Sequence, residues 1–487
     1  MSKRAELEIT LGGGAKGRGD HEERPLRLLV LADFSGRRTD SPSFAANRFA
    51  LHEADACIAN LSPVLKISTS GDPGPAQGLT VASLDEFHPD ALVAAVPALR
   101  RLLDIARKLD DPASEGQALA ELAAIAGAPA GGSPASEPES RAPAAESQEQ
   151  LLSRLLGGAK RSDGNERAKA AVKQLIQGAL QPHQRPAPAP GGADARTRVA
   201  QLLNQRCRAL LRDPQFRAVE RAWRSVCWLA SRLEDDQAEI HLVDVSKQDL
   251  ARHIAACGGR LDSSPLSRLL ERDGDERFDA AVGDYSFALD ADDLTLLATL
   301  GAMGARAGVP FLAHGDLGLV GCADAADPEA PATWRHADPE LAAVWHEFRR
   351  HPAARWVGLA APRFLLRQPY GAKTDPVERF AFEELPVRPD REAFLWGNPA
   401  FACALLLTQG RTGADAAVWP NAAGGDVPDL PMPLYRDGGG EAIQPPLELL
   451  LNERARHTAS DGGLIPLAGG RNTNRVAVGV LQSFESS

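Results

Sequence analysis

PLRLLVLADFSGR, residues 25–37, decides the fold class. Its stretch 26–33 (LRLLVLAD) is an almost unbroken apolar run. A strand with one wet face alternates polar and apolar residues, whereas a strand covered on both faces does not; the run therefore predicts a strand buried on both faces. Phe34-Ser35-Gly36-Arg37 ends it. VPFLAH (309–314) and WVGLAAP (356–362) have the same character, and AEIHLVDV (238–245) reads as a further strand.

Helical patterns lie between these runs. Leu92, Val96, Leu99, Leu103 and Ala106 form one stripe over 90–109, with Pro97 expected to kink or restart the helix. Val199, Leu202, Leu203, Arg206 and Leu210 mark another. Asp213 can cap a helix that opens with Pro214 and buries Phe216, Val219, Trp223, Val226, Ala230 and Leu233. A helix is expected after Asp290 towards Ala307, and a polar one over 446–459, followed by short strands near 464–467 and 475–482. Helices and strands interleave, so the class is α/β (α+β mixed).

Stretches 128–146 and 182–196 are rich in Pro, Ala, Gly and Ser, the composition of linkers. Three segments are expected: a small α/β domain over 1–126, a linker over 127–196 and a larger mixed α/β domain over 197–487. The linker holds a helical island at 147–180, opened by a Ser147/Gln150 capping pattern before LLSRLL.

The net charge of −11 is spread along the chain without a basic block, which argues against nucleic-acid binding. No apolar run reaches the roughly 18–20 residues of a membrane span, and residues 1–14 lack the core of a signal peptide, so a cytoplasmic protein without membrane insertion is expected. The six cysteines have neither disulfide-framework nor zinc-site spacing.

Templates for chemistry do not match. Gly12 to Gly17 has phosphate-loop spacing, but Arg18 and Gly19 follow where Lys and Ser or Thr are needed. His346-Glu347 with His351 is no zinc motif, and no Gly-x-Ser-x-Gly elbow occurs. Asp284-Tyr285 and Glu383-Glu384 are conceivable acid/base pairs, but carboxylates of this kind more often form ion pairs or lie on the surface. No catalytic, cofactor or metal residue is expected, and an enzyme is not the reading of choice. Short strands near both ends suit assembly, since an edge strand offers unpaired backbone groups to another chain.

The motifs resemble a known family. Residues 25–37 and LDEFHPDALVAAVPALRRLLDIARKL (84–109) are similar to the small subunit of the type VI secretion contractile sheath. DPQFRAVERAWRSVCWL (213–229), with Trp223 and Arg224, resembles the entry helix of the large subunit, and GDYSF (283–287) a family turn. ARWVGLAAPRFLLRQPYG (354–371) carries Pro362, Arg363, Phe364, Arg367, Pro369, Tyr370 and Gly371. FAFEE (380–384) follows, then FLWGNPAFA (394–402) with Trp396 and Asn398, GGLIPL (462–467) and RNTNRVAVGVLQSF (471–484).

That resemblance implies a fused small and large sheath subunit with no cofactor. Its expected partners are other copies and sheath subunits, an inner tube protein, a baseplate and a recycling AAA+ ATPase. Glu6, Leu7, Glu8, Ile9, Thr10 and Leu11 are one candidate inter-subunit strand. Arg475, Val476, Ala477, Val478, Gly479, Val480, Leu481 and Gln482 are the other. Leu151, Leu152, Leu155 and Leu156 line one side of a candidate ATPase-contact helix. Arg363 and Arg367 either clamp an anion or, the favoured reading, pair with acids such as Glu383 and Glu384 or cap a carbonyl-rich turn; Trp396 is expected as a core anchor and Asn398 as a turn residue. The family's subunits are usually separate, and the large-subunit portion here is shorter than usual. A non-polymerising cap, initiator or adaptor, a scaffold or chaperone for sheath parts, and a hydrolase or nucleotide-binding enzyme remain as alternatives.

Overall fold

The computed structural model describes residues 25–126 and 192–485, apart from 40–41, 68–76, 235–236, 259, 323–326, 386–388, 410–418, 420–421 and 438–439. The chain divides into two compact units, Met1–Leu92 with Arg208–Ser487, and Val93–Cys207. These units cut the chain elsewhere than the segments expected from composition. Residues 25–92 share a unit with the C-terminal portion.

In chain order the strands are β1 (Leu26–Ala32), β2 (Asn47–Phe49), β3 (Val64–Ile67), β4 (Gln77–Thr80), β5 (Ala238–Asp244), β6 (Ala280–Phe287), β7 (Phe311–Gly315) and β8 (Val357–Ala361). They continue with β9 (Phe364–Leu365), β10 (Trp396–Gly397), β11 (Gly425–Val427), β12 (Leu434–Asp437), β13 (Gly440–Ile443), β14 (Leu464–Gly469) and β15 (Val476–Val478). The helices are α1 (Ala54–Leu61), α2 (Pro89–Ala95), α3 (Pro97–Asp110), α4 (Glu115–Ala126), α5 (Gly192–Leu211) and α6 (Pro214–Ala230). After them come α7 (Lys247–Ala256), α8 (Pro265–Leu270), α9 (Ala291–Ala307), α10 (Pro339–Arg349), α11 (Ala400–Gln409) and α12 (Glu453–Asp461).

The larger unit is built on a nine-stranded sheet of order β11-β15-β14-β8-β7-β6-β1-β5-β2. From β14 to β5 all neighbours run parallel. Taken in chain order, these six strands stand 2-1-3-4-5-6, a doubly wound arrangement whose order reverses between β1 and β6. The apolar run at 26–32 is thus a central strand. Leu29 and Leu31 serve one face, in a core with Leu297, Phe311 and Leu359, while Leu28 and Val30 point to the other.

Caps explain several helix starts. Asp213 Oδ1 accepts from the backbone N–H of Gln215 and Phe216 at 2.9 and 3.0 Å, and Pro214 fills the position that needs no N–H. Asp290 accepts from Asp293 N at the start of α9. Pro97 restarts the helix, as α2 ends at Ala95 and α3 begins at Pro97.

Two readings are corrected. GDYSF is not a turn: it forms the end of β6. Asp284 can lie inside a strand because Arg221 Nε donates to its carboxylate at 3.0 Å, and Gly283 is needed there because a Cβ would meet the Phe311 ring at 2.5 Å. The polar helix expected over 446–459 begins later, at Glu453, where Asn452 caps it through Ala455 N.

In the unit Val93–Cys207, α3, α4 and α5 bury Ile105, Leu109, Ala118, Leu122, Ala195 and Val199 against one another. Lys108 and Glu121 pair at 2.7 Å across α3 and α4.

Candidate functional site

The geometry of most consequence in the larger unit is the seam between residues 25–92 and the C-terminal portion. β1 pairs over its whole length with β5, from Leu26↔Ala238 to Ala32↔Asp244, and on its other side with β6 from Leu28↔Ala280 to Leu31↔Gly283. Neither neighbour pairs with the other, so without β1 both would expose a hydrophobic edge.

Ligands of doubly wound sheets bind outside the strands' carboxyl ends, where the strand order reverses. Here that place is filled by protein. Phe34 and Trp223 are fully buried, with ring centroids 4.9 Å apart, and Trp223 Nε1 donates to the Phe34 carbonyl at 2.9 Å. The backbone N–H groups of Phe34 and Ser35, which could cradle a phosphate, donate instead to Asp244 Oδ1 at 2.9 and 3.0 Å. Burial raises the Asp244 carboxyl, and hydrogen bonds from Ser35 oppose that shift. Gly36 sits at φ 68°, a left-handed conformation that suits glycine, and its carbonyl accepts from Gln215 Nε2.

A second contact joins 87–90 to 370–379. Both Asp90 carboxylate oxygens accept backbone N–H groups, from Glu378 and Arg379, each at 2.9 Å. His88 stands edge-on to Tyr370 at 4.8 Å, and Phe87 to Phe216 at 5.5 Å.

Beneath this contact lies a buried ionic network. Glu220, with no exposed surface, accepts on Oε1 from Arg367 Nε at 2.8 Å and Arg224 Nε at 2.7 Å. Arg367 also donates Nη1 and Nη2 to Glu384 at 2.7 and 3.0 Å, and its guanidinium lies 4.0 Å from the Tyr370 ring centroid. Glu384 further accepts from Tyr370 N at 2.8 Å, and Arg224 Nη2 donates to the Tyr370 hydroxyl at 2.9 Å. Burial by itself would raise the Glu220 carboxyl, but Arg367 and Arg224 outweigh it and hold the group below its ordinary value. Two carboxylates face two guanidiniums, so the cluster is neutral and can stay dry.

Arg363 lies elsewhere. It donates its backbone N and Nε to Glu448 at 2.9 and 2.8 Å, and Nη2 to Glu392 at 2.9 Å. Of the expected partners, Glu384 does pair with Arg367, whereas Glu383 is corrected: its carboxylate accepts from Ala372 N at 3.2 Å. Pro362 follows a cis peptide bond, and Phe364 is buried against Trp228 at 4.8 Å. The Pro369 carbonyl accepts from the Thr374 hydroxyl, and Gly371 bridges Glu383. Trp396 is buried and donates Nε1 to the Arg391 carbonyl at 2.7 Å. Asn398 does more than form a turn: its Nδ2 donates to the Gly283 and Tyr285 carbonyls, both at 3.0 Å, and its Oδ1 accepts from Ala400 N at 3.0 Å, tying α11 to β6.

The candidate exchanging strand at 475–482 does not lie at an edge. Within it, Val476–Val478 form β15, which pairs with β14 on one side and β11 on the other. The sheet ends instead on β2 and β11, each three residues long. The other candidate, Glu6 to Leu11, and the leucines 151, 152, 155 and 156 lie outside the described residues. Among the described residues no helix is long and apolar enough to cross a membrane.

Two family models match. One, described as "EvpB/VC_A0108, tail sheath N-terminal domain", matches residues 194–485; the other, "Type VI secretion system, VipA, VC_A0107 or Hcp2", matches residues 2–123. The chain is 29% identical over 305 residues to the type VI secretion system sheath protein TssC1 of Pseudomonas aeruginosa, an alignment covering 58% of this chain and 59% of the relative. The chain thus spans about three fifths of the length of that curated relative.

Proposed function

The chain belongs to the type VI secretion sheath family, and from that premise we propose that it is a structural subunit of a contractile sheath in which both sheath components are carried on one backbone. The supporting observation is the seam. The strand from the segment matched by the VipA model sits between two strands of the segment matched by the VipB model. Covalent linkage fixes their ratio at one to one and raises the local concentration of each for the other.

In this reading copies polymerise around an inner tube in the bacterial cytoplasm and contract from a baseplate to drive effector delivery. Contacts that do not close on themselves give the open helical symmetry required. Residues 1–126 act as the small-subunit segment, 127–196 as the connection and 197–487 as the large-subunit segment. Glu6 to Leu11 is the preferred strand for exchange between copies. Exchange by 475–482 requires β15 to leave β11, a contact of only three residues on each side. Leu151, Leu152, Leu155 and Leu156 are the proposed grip of a recycling AAA+ ATPase.

A non-polymerising cap or adaptor is the second reading, favoured by the three-residue strands at both sheet edges. Electron microscopy of the purified chain, alone and with its tube protein, distinguishes the two. Long tubes are expected; dispersed particles in both samples would refute the polymer.

A further inference from the structure

A cavity of about 240 Å³ opens at the carboxyl ends of β6, β7 and β8, away from the seam. Ser286, His314, Arg363, Arg391 and Glu392 are among the residues that line it. Ligand crevices of parallel sheets lie at this end of the strands. His314 is 6% exposed; its Nδ1 lies 2.9 Å from Ser286 Oγ, and its Nε2 has no hydrogen-bond partner among the described residues. Arg391 forms no ion pair or side-chain hydrogen bond with a described residue.

The other charges of the cavity are already engaged. Glu448 and Glu392 are bound to Arg363, and Asp316 accepts from Gly318 N at 2.6 Å. That leaves one guanidinium and one imidazole nitrogen for a ligand. We propose that this crevice binds a small anion, a carboxylate or phosphate whose oxygens meet Arg391 and His314 Nε2.

Burial, then the charges of Arg363, Arg221 and Lys247, push the His314 imidazole down to about 3. The ring stays neutral near pH 7 and supplies a hydrogen bond rather than a proton relay, so no bond-making step is implied.

The test is isothermal titration of the full chain with inorganic phosphate, and separately with succinate, at constant ionic strength. Saturable binding of at least one is expected, and Arg391→Gln should weaken it about tenfold or more, the loss of one charge-assisted hydrogen bond. Arg391 is solvent-exposed, so this variant should fold; an unchanged urea midpoint checks that. Binding of phosphate alone identifies a phosphorylated ligand, and of succinate alone a carboxylate. Absence of saturable binding of either anion, or equal affinity in Arg391→Gln, overturns the proposal.

Discussion

Replacing Arg367 by Met tests the buried network directly. The substitution keeps an apolar stem of similar length and removes the guanidinium shared by Glu220 and Glu384. One guanidinium, on Arg224, then faces two buried carboxylates. Stripping one partner from a buried ion pair costs about 3–5 kcal/mol, because the charge left behind is neither hydrated nor matched. With an unfolding entropy of about 2.1 cal/mol/K per residue, that corresponds to a Tm lower by about 4–6 °C for a unit of this length. Arg367→Met with Glu384→Gln restores neutrality, leaving the Glu220–Arg224 pair at 2.7 Å. The double variant should therefore lose less than the sum of the two single losses, by about 1–3 kcal/mol. Urea unfolding of wild type, both single variants and the double variant measures each term. Strictly additive losses, or an Arg367→Met loss below about 1 kcal/mol, would refute a coupled buried network.

Phe34→Ala empties a fully buried site against Trp223 and should cost about 3–5 kcal/mol in the same assay; a loss near zero would mean the seam is not packed. Gly358→Ala drives a Cβ into the Trp419 ring and to 2.8 Å from Leu312, so the urea midpoint should fall by the equivalent of about 1–3 kcal/mol. Neutral His314 contributes stability that is fully present above its ordinary 6.5 and is lost as pH falls towards about 3, because only the unfolded chain takes up that proton. His314→Gln should therefore flatten the fall in urea midpoint from about pH 7 to about pH 5; an unchanged slope counts against the burial of this ring. Cleavage at a protease site introduced within 127–191 should leave both fragments co-eluting in native buffer and separating in urea, since β1 is paired on both sides. Separation in native buffer would count against the seam.

Local chemistry carried much of the fold. The apolar run at 26–32 announced a strand covered on both faces, and Asp213-Pro214 and Asp290 announced helix starts through caps that act within three residues. GDYSF was expected as a turn from its resemblance to a family motif, yet it closes β6. Its strand depends on Arg221 and the Phe311 ring, which are distant in sequence. α11 lacked a period to detect, since nearly every residue of 400–409 is buried. The acids near Arg363 and Arg367 suggested ion pairs, yet Arg363 found Glu448 and Glu392, and Arg367 added Glu220 from α6.

Sequence alone carried most element types, the α/β class and the family motifs, because periodicity, capping and motif spacing are written over short stretches of chain. Tertiary structure decided which strands neighbour β1, that β15 is enclosed by β14 and β11, and which acid meets which arginine. Buried apolar strands resemble one another in composition, and a carboxylate's partner is set by where the chain returns in space.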